Sequence, residues 1–202
     1  MEFHIENTEV YGLNKAAIAS GNAMRTVMAN NVLDPTDKDF KRAALLGSTG
    51  PGEGHDNFLN GIIVQFDLYA PLYMWKQIQR YHFLDFISSQ STMHRLLKFD
   101  IATQCVSDTD PVIVRRYQDL VVDYNATPDA AKWRTLVASL PCGFVLGATM
   151  TTNYRQLKTI YLQRRNHKLK EWHDFCAWCE TLPLFTTICL GEDTSESKTV
   201  QN

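Results

Sequence analysis

The chain of 202 residues is long enough to bury one substantial core and short enough that a single domain is expected. Hydrophobic residues make up 45% and charged residues 21%, proportions of a soluble globular protein that exclude disorder across the main body. A formal charge of -2 excludes a general attraction to a nucleic acid polymer or an anionic membrane, so any bound anion must be held by a local cluster.

The opening residues Met1-Glu2-Phe3-His4-Ile5-Glu6 lack the basic flank and apolar run of a signal peptide, and no later segment approaches ~20 uninterrupted apolar residues. A cytoplasmic protein with no membrane partner is expected. The first forty-odd residues predict a short strand, a helix over 15–23, and a second helix after Asp34-Pro35-Thr36. There Thr36 can cap, and Phe40, Ala43, Ala44 and Leu45 supply an apolar stripe. Residues 47–54 carry four glycines and form a loop by composition, open to close backbone approach.

Ile62, Val64, Phe66 and Leu68 alternate with Ile63, Gln65, Asp67 and Tyr69, the period of a strand with one buried face. Ala70-Pro71 ends it. Proline suits the first position of a helix, so the strand should run directly into a helix over 72–80 with Tyr73, Gln77 and Arg80 on one face. Asp110-Pro111 and Thr127-Pro128 announce helices over 112–124 and 129–139. The spacing beyond predicts the longest helix, from about 151 to 180, and then a polar tail over 191–202 that is expected to be disordered.

Cys105, Cys142, Cys176, Cys179 and Cys189 are an odd set without the even spacing of a disulfide scaffold, so free thiols are expected. Pro141-Cys142 invites comparison with a nucleophile, but Gly143-Phe144-Val145 offers no activating base, and a buried structural thiol is expected instead. His173, Cys176 and Cys179 recur at every third residue. No fourth ligand is evident, and Trp172, Phe175 and Trp178 interleave with them, so a packed helix is expected rather than a metal site. The glycine loop continues into His55-Asp56, where a P-loop needs Gly-Lys-Ser/Thr, and a P-loop is rejected.

The basic run Arg155, Lys158, Arg164, Arg165, Lys168 and Lys170 falls on the predicted long helix with Asn153, Tyr154 and Tyr161. A solvated basic face is the usual explanation for such a run. Asn153 and Arg164 nevertheless share a face, separated by ~16 Å along the axis. Arg155 points almost opposite to Arg164, so one helix can serve two sites if subunits pack around it.

Three segments together resemble the flavin-dependent thymidylate synthases, more specifically their divergent, phage-type branch. In the first, His55-Asp56-Asn57-Phe58-Leu59-Asn60-Gly61 precedes the strand and Ala70-Pro71 as the family's histidine precedes its own Ala-Pro. In the second, Lys76-Gln77-Ile78-Gln79-Arg80-Tyr81-His82 is similar to the family's Arg-Gln-x-x-Arg-His-Arg, with Ser88-Ser89-Gln90-Ser91 after it. The third holds Leu140-Pro141, Thr152-Asn153-Tyr154-Arg155 and Arg164 at the family's intervals.

The resemblance implies an α+β fold of that type, a domain over 1–190 with a central sheet packed with helices, and a homotetramer whose sites several subunits assemble. It implies FAD as cofactor, NADPH and methylenetetrahydrofolate as co-substrates, and a pyrimidine deoxynucleotide, dUMP first, as substrate. Residue by residue, it implies flavin contacts at His55, Asn57, Asn60, Tyr81, His82, Asn153 and Arg155. Gln77, Ser88, Ser89 and Ser91 fall to the nucleotide, Arg80 to both, and Arg164 to the pyrimidine base, where an arginine stabilises negative charge as C5 becomes nucleophilic. No protein nucleophile and no metal ligand are required, because flavin and folate carry the chemistry.

The departures from the pattern bear on the substrate. Tyr81 and His82 replace histidine and arginine, removing a permanent positive charge. Asp85 stands at a serine position and Ile87 at an asparagine position, and Thr92-Met93 replaces an arginine, with Arg95 further on. Val137 stands where a phosphate-binding arginine is expected, with Arg134 one turn away. Changed hydrogen-bond partners can change base selection by orders of magnitude. Hydroxymethylation of dUMP or dCMP therefore stays open beside methylation of dUMP, as does a non-catalytic homologue that binds nucleotide or flavin.

Overall fold

The computed structural model describes residues 1–28, 34–50 and 52–192. Strand β1 (His4–Tyr11) leads to helix α1 (Leu13–Ala19), which ends earlier than expected because Asn22–Met24 tighten into a 3-10 turn after Gly21. Helix α2 (Asp37–Gly47) begins where its sequence signal lies. The Thr36 hydroxyl accepts from the Asp39 amide while the Asp39 carboxylate accepts from the Thr36 amide, closing a capping box. Asp39 also pairs with Arg42 at 2.5 Å and Arg25 at 3.4 Å. The Thr36 hydroxyl first, then Arg42, hold its carboxyl well below the usual carboxylate range.

Strand β2 (Ile63–Pro71) buries Val64, Phe66, Leu68 and Ala70, as the alternation predicts. Pro71 stays extended and stands as the N-cap of helix α3 (Leu72–Ile78), one position ahead of the first turn. The amides of Leu72 and Tyr73 donate to the carbonyls of Phe144 and Cys142, which ties the start of α3 in place. The helix is shorter than expected. Arg80 lies in the turn after it, so Tyr73, Gln77 and Arg80 do not share one helix face.

Strand β3 (Asp85–Ser89) follows, exposed at every residue. Then come the short helices α4 (Thr92–Arg95) and α5 (Ile101–Gln104), and the helices α6 (Pro111–Ala126) and α7 (Ala130–Ala138), whose caps Asp110 and Asp129 accept from the backbone amides of Val112 and Lys132. The region expected to hold one long helix holds strand β4 (Val145–Asn153), helix α8 (Tyr154–Arg164) and helix α9 (Lys170–Thr181). Thr149, Thr151 and Thr152 favour the strand. At residues 165–169 the Leu169 amide donates to Nδ1 of His167, 3.1 Å away, and the helix breaks there. A π-helical turn (Thr186–Leu190) closes on Gly191 in the left-handed conformation, φ 76°. Residues 193–202 of the expected tail lie outside the described residues.

The strands form one sheet in the order β1-β2-β4-β3, which with the helices makes the expected α+β fold. Contacts divide the chain into two compact units. One comprises Met1–Asn7, Phe66–His82 and Phe86–Met150, with a core around Tyr117, Leu136 and Phe144. The Tyr117 hydroxyl donates to the Leu136 carbonyl, and burial pushes this phenol up to about 12. The other comprises the described residues among 8–65, Phe83–Asp85 and residues 151–192, and buries Leu59, Tyr154, Trp172, Phe175 and Phe185. Among the described residues no helix is long and apolar enough to cross a membrane.

Candidate functional site

Strand β4 passes into α8 without a connecting loop. Asn153 is the last strand residue and also the helix N-cap, its Oδ1 accepting from the Gln156 amide at 2.9 Å. The Tyr154 amide donates to the Ile62 carbonyl, and its buried hydroxyl donates to the Pro183 carbonyl at 2.7 Å. Burial raises that phenol far above its ordinary range, so it stays a donor. These bonds fix the rotation of α8. Its first turns face a cavity of about 230 Å³ lined by Gly52, Asp56, Asn60, Asn153, Arg155 and Lys158 among others.

Two of these residues are buried and charged. Nζ of Lys158 donates to the carbonyls of Gly47 at 2.7 Å and Thr49 at 2.6 Å, and to Oδ2 of Asp56 at 3.3 Å. The other carboxylate oxygen lies 3.1 Å from Nε of Arg155. The side chains of Lys158 and Asp56 are 5% and 9% exposed, whereas that of Arg155 is 38% exposed and reaches the cavity. An ammonium has three donors, and each has a partner, which is the condition for burying one. One carboxylate thus sits between two cations. The N-terminus of α8 adds its own partial positive charge, so the cavity suits an anionic or strongly polar group.

Sequence reasoning assigned Lys158 to a solvated basic run and gave Asp56 no role. The structure corrects both, and no local pattern could have revealed a pair separated by 102 positions. The basic run is also redistributed: Arg155, Lys158 and Arg164 belong to α8, Arg165 caps its end, Lys168 lies in the break, and Lys170 opens α9.

A second cleft, about 310 Å³, lies within the other unit over Asp67, Tyr69, Ser88, Ser89 and Gln90. Asp67 accepts from the Thr149 hydroxyl at 2.5 Å and the Asn7 amide at 2.8 Å, and these bonds, Thr149 first, lower its carboxyl below the usual range. Gln90 exchanges hydrogen bonds with the backbone of Gly147. A Cβ at Gly147 would come within 2.7 Å of the Tyr69 ring, so only glycine leaves this wall undisturbed.

Of the expected flavin contacts, Asn60, Asn153 and Arg155 come together at the α8 cavity, with His55 and Asn57 exposed on either side of Asp56. Tyr81 and His82 lie in the turn after α3, in the other unit. Of the expected nucleotide contacts, Ser88 and Ser89 line the second cleft, Gln77 is half-buried on α3 and Arg80 is exposed beyond it. The Ser91 hydroxyl accepts from the His94 amide at 3.2 Å as the N-cap of α4. Arg164 ends α8, its guanidinium stacked over Trp172. Burial first, and then the Arg164 charge, lower the titration of the neighbouring His167.

All five cysteines are free thiols. Cys142, expected to be buried, is exposed instead, because it sits in a turn where the Phe144 amide donates to the Pro141 carbonyl and Phe144 takes the buried position. Cys176 and Cys179 pack inside α9 beside Phe175, and burial pushes the Cys176 thiol up to about 11. His173 is exposed on the same helix, its Nε2 2.5 Å from the His167 carbonyl. Among the described residues no three His, Cys, Asp or Glu side chains gather to hold a metal ion.

No protein-family model matches the sequence, and no curated protein sequence matches it. Solved structures match its shape. Flavin-dependent thymidylate synthase ThyX from Helicobacter pylori, complexed with FAD and dUMP, superposes with a TM-score of 0.70 at 17% identity, covering 94% of this chain and 98% of that one. A second structure of ThyX from Helicobacter pylori, with the same two ligands, gives 0.68 at 18% identity, covering 95% and 100%. A UMP/dUMP methylase PolB from Streptomyces cacaoi, bound with 5-Br dUMP, gives 0.64 at 13% identity, covering 94% and 95%. The chain therefore has the fold of the flavin-dependent thymidylate synthases along nearly its whole length, as the three sequence segments imply.

Proposed function

We propose that this chain is a FAD-dependent enzyme that transfers a one-carbon unit from methylenetetrahydrofolate to C5 of a pyrimidine deoxynucleotide, converting dUMP to dTMP with NADPH as reductant. The observation that carries the proposal is the gathering of Asn60, Asn153 and Arg155 at one positively charged cavity. These are three of the positions that the family resemblance assigns to flavin, and they lie in a chain with the family's fold.

The donor set fits part of the cofactor. Arg155 offers a guanidinium to a phosphate, and Asn60 and Asn153 offer amide groups to polar atoms. A cavity of about 230 Å³ is below the ~300–1,000 Å³ common for ligand sites. One chain then holds one end of FAD, which supports a homotetramer that assembles the remainder. Bound and reduced, the flavin supplies the electrons that turn a transferred methylene into a methyl group.

The chain's own residues bind and orient. Gln77, Arg80, Ser88, Ser89 and Ser91 serve the nucleotide, while Tyr81 and His82 supply hydrogen-bonding groups to the flavin side. Arg164, held by Trp172, addresses the base carbonyl and stabilises negative charge as C5 becomes nucleophilic.

Asp85, exposed at the start of β3, favours a second substrate. A carboxylate accepts hydrogen bonds and does not donate them, which suits the amino group of cytosine, so dCMP is the alternative acceptor and a hydroxymethyl group the alternative product. Flavin absorbance of the purified protein, flavin titration, and mass spectrometry of products from dUMP and dCMP test these assignments. A protein that takes up no flavin refutes the proposal. Flavin uptake with no turnover of either nucleotide makes it a binding homologue.

A further inference from the structure

We infer that Lys158 sets the charge of the α8 cavity for an anionic ligand group that it does not itself touch. Its three donors are spent on Gly47, Thr49 and Asp56. By neutralising Asp56, it leaves the guanidinium charge of Arg155 available at the cavity wall. Without Lys158, Asp56 and Arg155 would form a simple neutral pair. With it, the three-residue cluster carries one net positive charge, and the part of the cluster that is exposed is the arginine, at 38% against 5% for the lysine.

The lysine has a second effect through the same bonds. It holds the last carbonyl of α2 and the carbonyl of Thr49 against α8, which fixes the approach to Gly52 on the cavity rim. Lys158 is thus a positioning residue for whichever anion the cavity accepts. Under the proposed function, on which this assignment of ligand rests, the anion is the pyrophosphate of the flavin dinucleotide.

Charge and structure give opposite signs in one variant, which makes the inference testable. Asp56→Asn keeps Lys158 on both carbonyls and raises the cluster from one to two positive charges. Lys158→Met removes the excess charge and also the tie to the loop. The double variant Asp56→Asn with Lys158→Met restores one positive charge while leaving the loop untied.

Calorimetric titration of the full chain with inorganic pyrophosphate, FAD and riboflavin reads these changes. Asp56→Asn should bind pyrophosphate about tenfold more tightly and Lys158→Met about tenfold more weakly, the effect of one charge a few ångströms from an anion in a partly screened site. The double variant should return to within about threefold of the unaltered chain, and riboflavin, which lacks phosphate, should be indifferent to the charge. Weaker pyrophosphate binding by Asp56→Asn, or no pyrophosphate binding by the unaltered chain, overturns the inference. Pyrophosphate binding without FAD binding defeats the flavin assignment and leaves the charge-setting role standing. FAD binding that Asp56→Asn does not strengthen does the reverse.

Discussion

The guanidinium carbon of Arg164 lies 4.6 Å from the centroid of the Trp172 ring. Such a stack contributes about 0.5–2 kcal/mol, but its greater use is to hold a planar donor fork in one orientation at the end of α8. Arg164→Ala should lower nucleotide turnover at least about 100-fold, the usual scale for losing a preorganised charge-stabilising group. It should cost only about 1 kcal/mol of stability. Arg164→Lys keeps the charge without the fork and should recover little activity. Single-turnover kinetics beside urea unfolding separate the two effects; unchanged turnover in Arg164→Ala would remove this residue from the chemistry.

Asp39 predicts a pH dependence of stability. Its carboxyl is held below its unfolded value, so the stabilisation is fully present above that value, about 3.9, and is lost as pH falls below it. At pH 7 Asp39→Asn should cost about 1 kcal/mol or more through the lost cap and the lost Arg42 pair. Urea midpoints of the two proteins should begin to converge below pH 4 and meet only well below pH 3, as the pH falls through the depressed folded value. A difference that persists undiminished at pH 3 would contradict the assignment.

Gly47 sets two effects against each other. Alanine in a helix is favoured over glycine by about 1 kcal/mol. A Cβ here, however, would be driven into the Ile188 carbonyl oxygen, with the Phe58 ring 3.2 Å away. Backbone cannot swing aside as a side chain can, so the overlap should win, and Gly47→Ala should destabilise by about 1–3 kcal/mol. Thermal unfolding measures the sign directly, and a stabilised variant would mean that the π-helical turn moves away freely.

The five thiols should divide four to one. Cys142 is exposed, while Cys105, Cys176, Cys179 and Cys189 are buried, and burial raises the titration of all four. A thiol reagent added to the native protein should label one cysteine quickly and the rest only on unfolding. Cys142→Ser should abolish the fast phase and, under the proposed function, whose chemistry needs no protein nucleophile, leave turnover within about twofold.

What could be read from the sequence was whatever announced itself locally. The Thr36 cap, the alternation of Val64, Phe66 and Leu68, and the Asp-Pro before α6 each act within a few residues, and each element stands where its signal lies. The stretch after Val145 misled because its punctuation is weak. The strand ends on an asparagine that could equally stand inside a polar segment, and the N-cap position of α9 holds Leu169, which offers no side-chain cap. Strand β3 is exposed at every residue and so shows no alternation of burial to detect. Within the site, the resemblance singled out Asn60, Asn153 and Arg155, and these three line one cavity. Asp56 and Lys158 were not legible, because their pairing exists only once the glycine loop lies against α8.

The direct passage from β4 into α8 limits how the chain can change length. An inserted residue between Thr152 and Tyr154 would turn the helix by about 100° relative to the strand or flip the strand by one face. Either shift carries Arg155 off Asp56 and moves Arg164 away from Trp172 together. The same holds at Pro71, where β2 meets α3. Insertions should therefore be tolerated in exposed connections such as that between Ser107 and Asp108, and rejected at these two joints, where register along the strand and phase around the helix are one and the same variable.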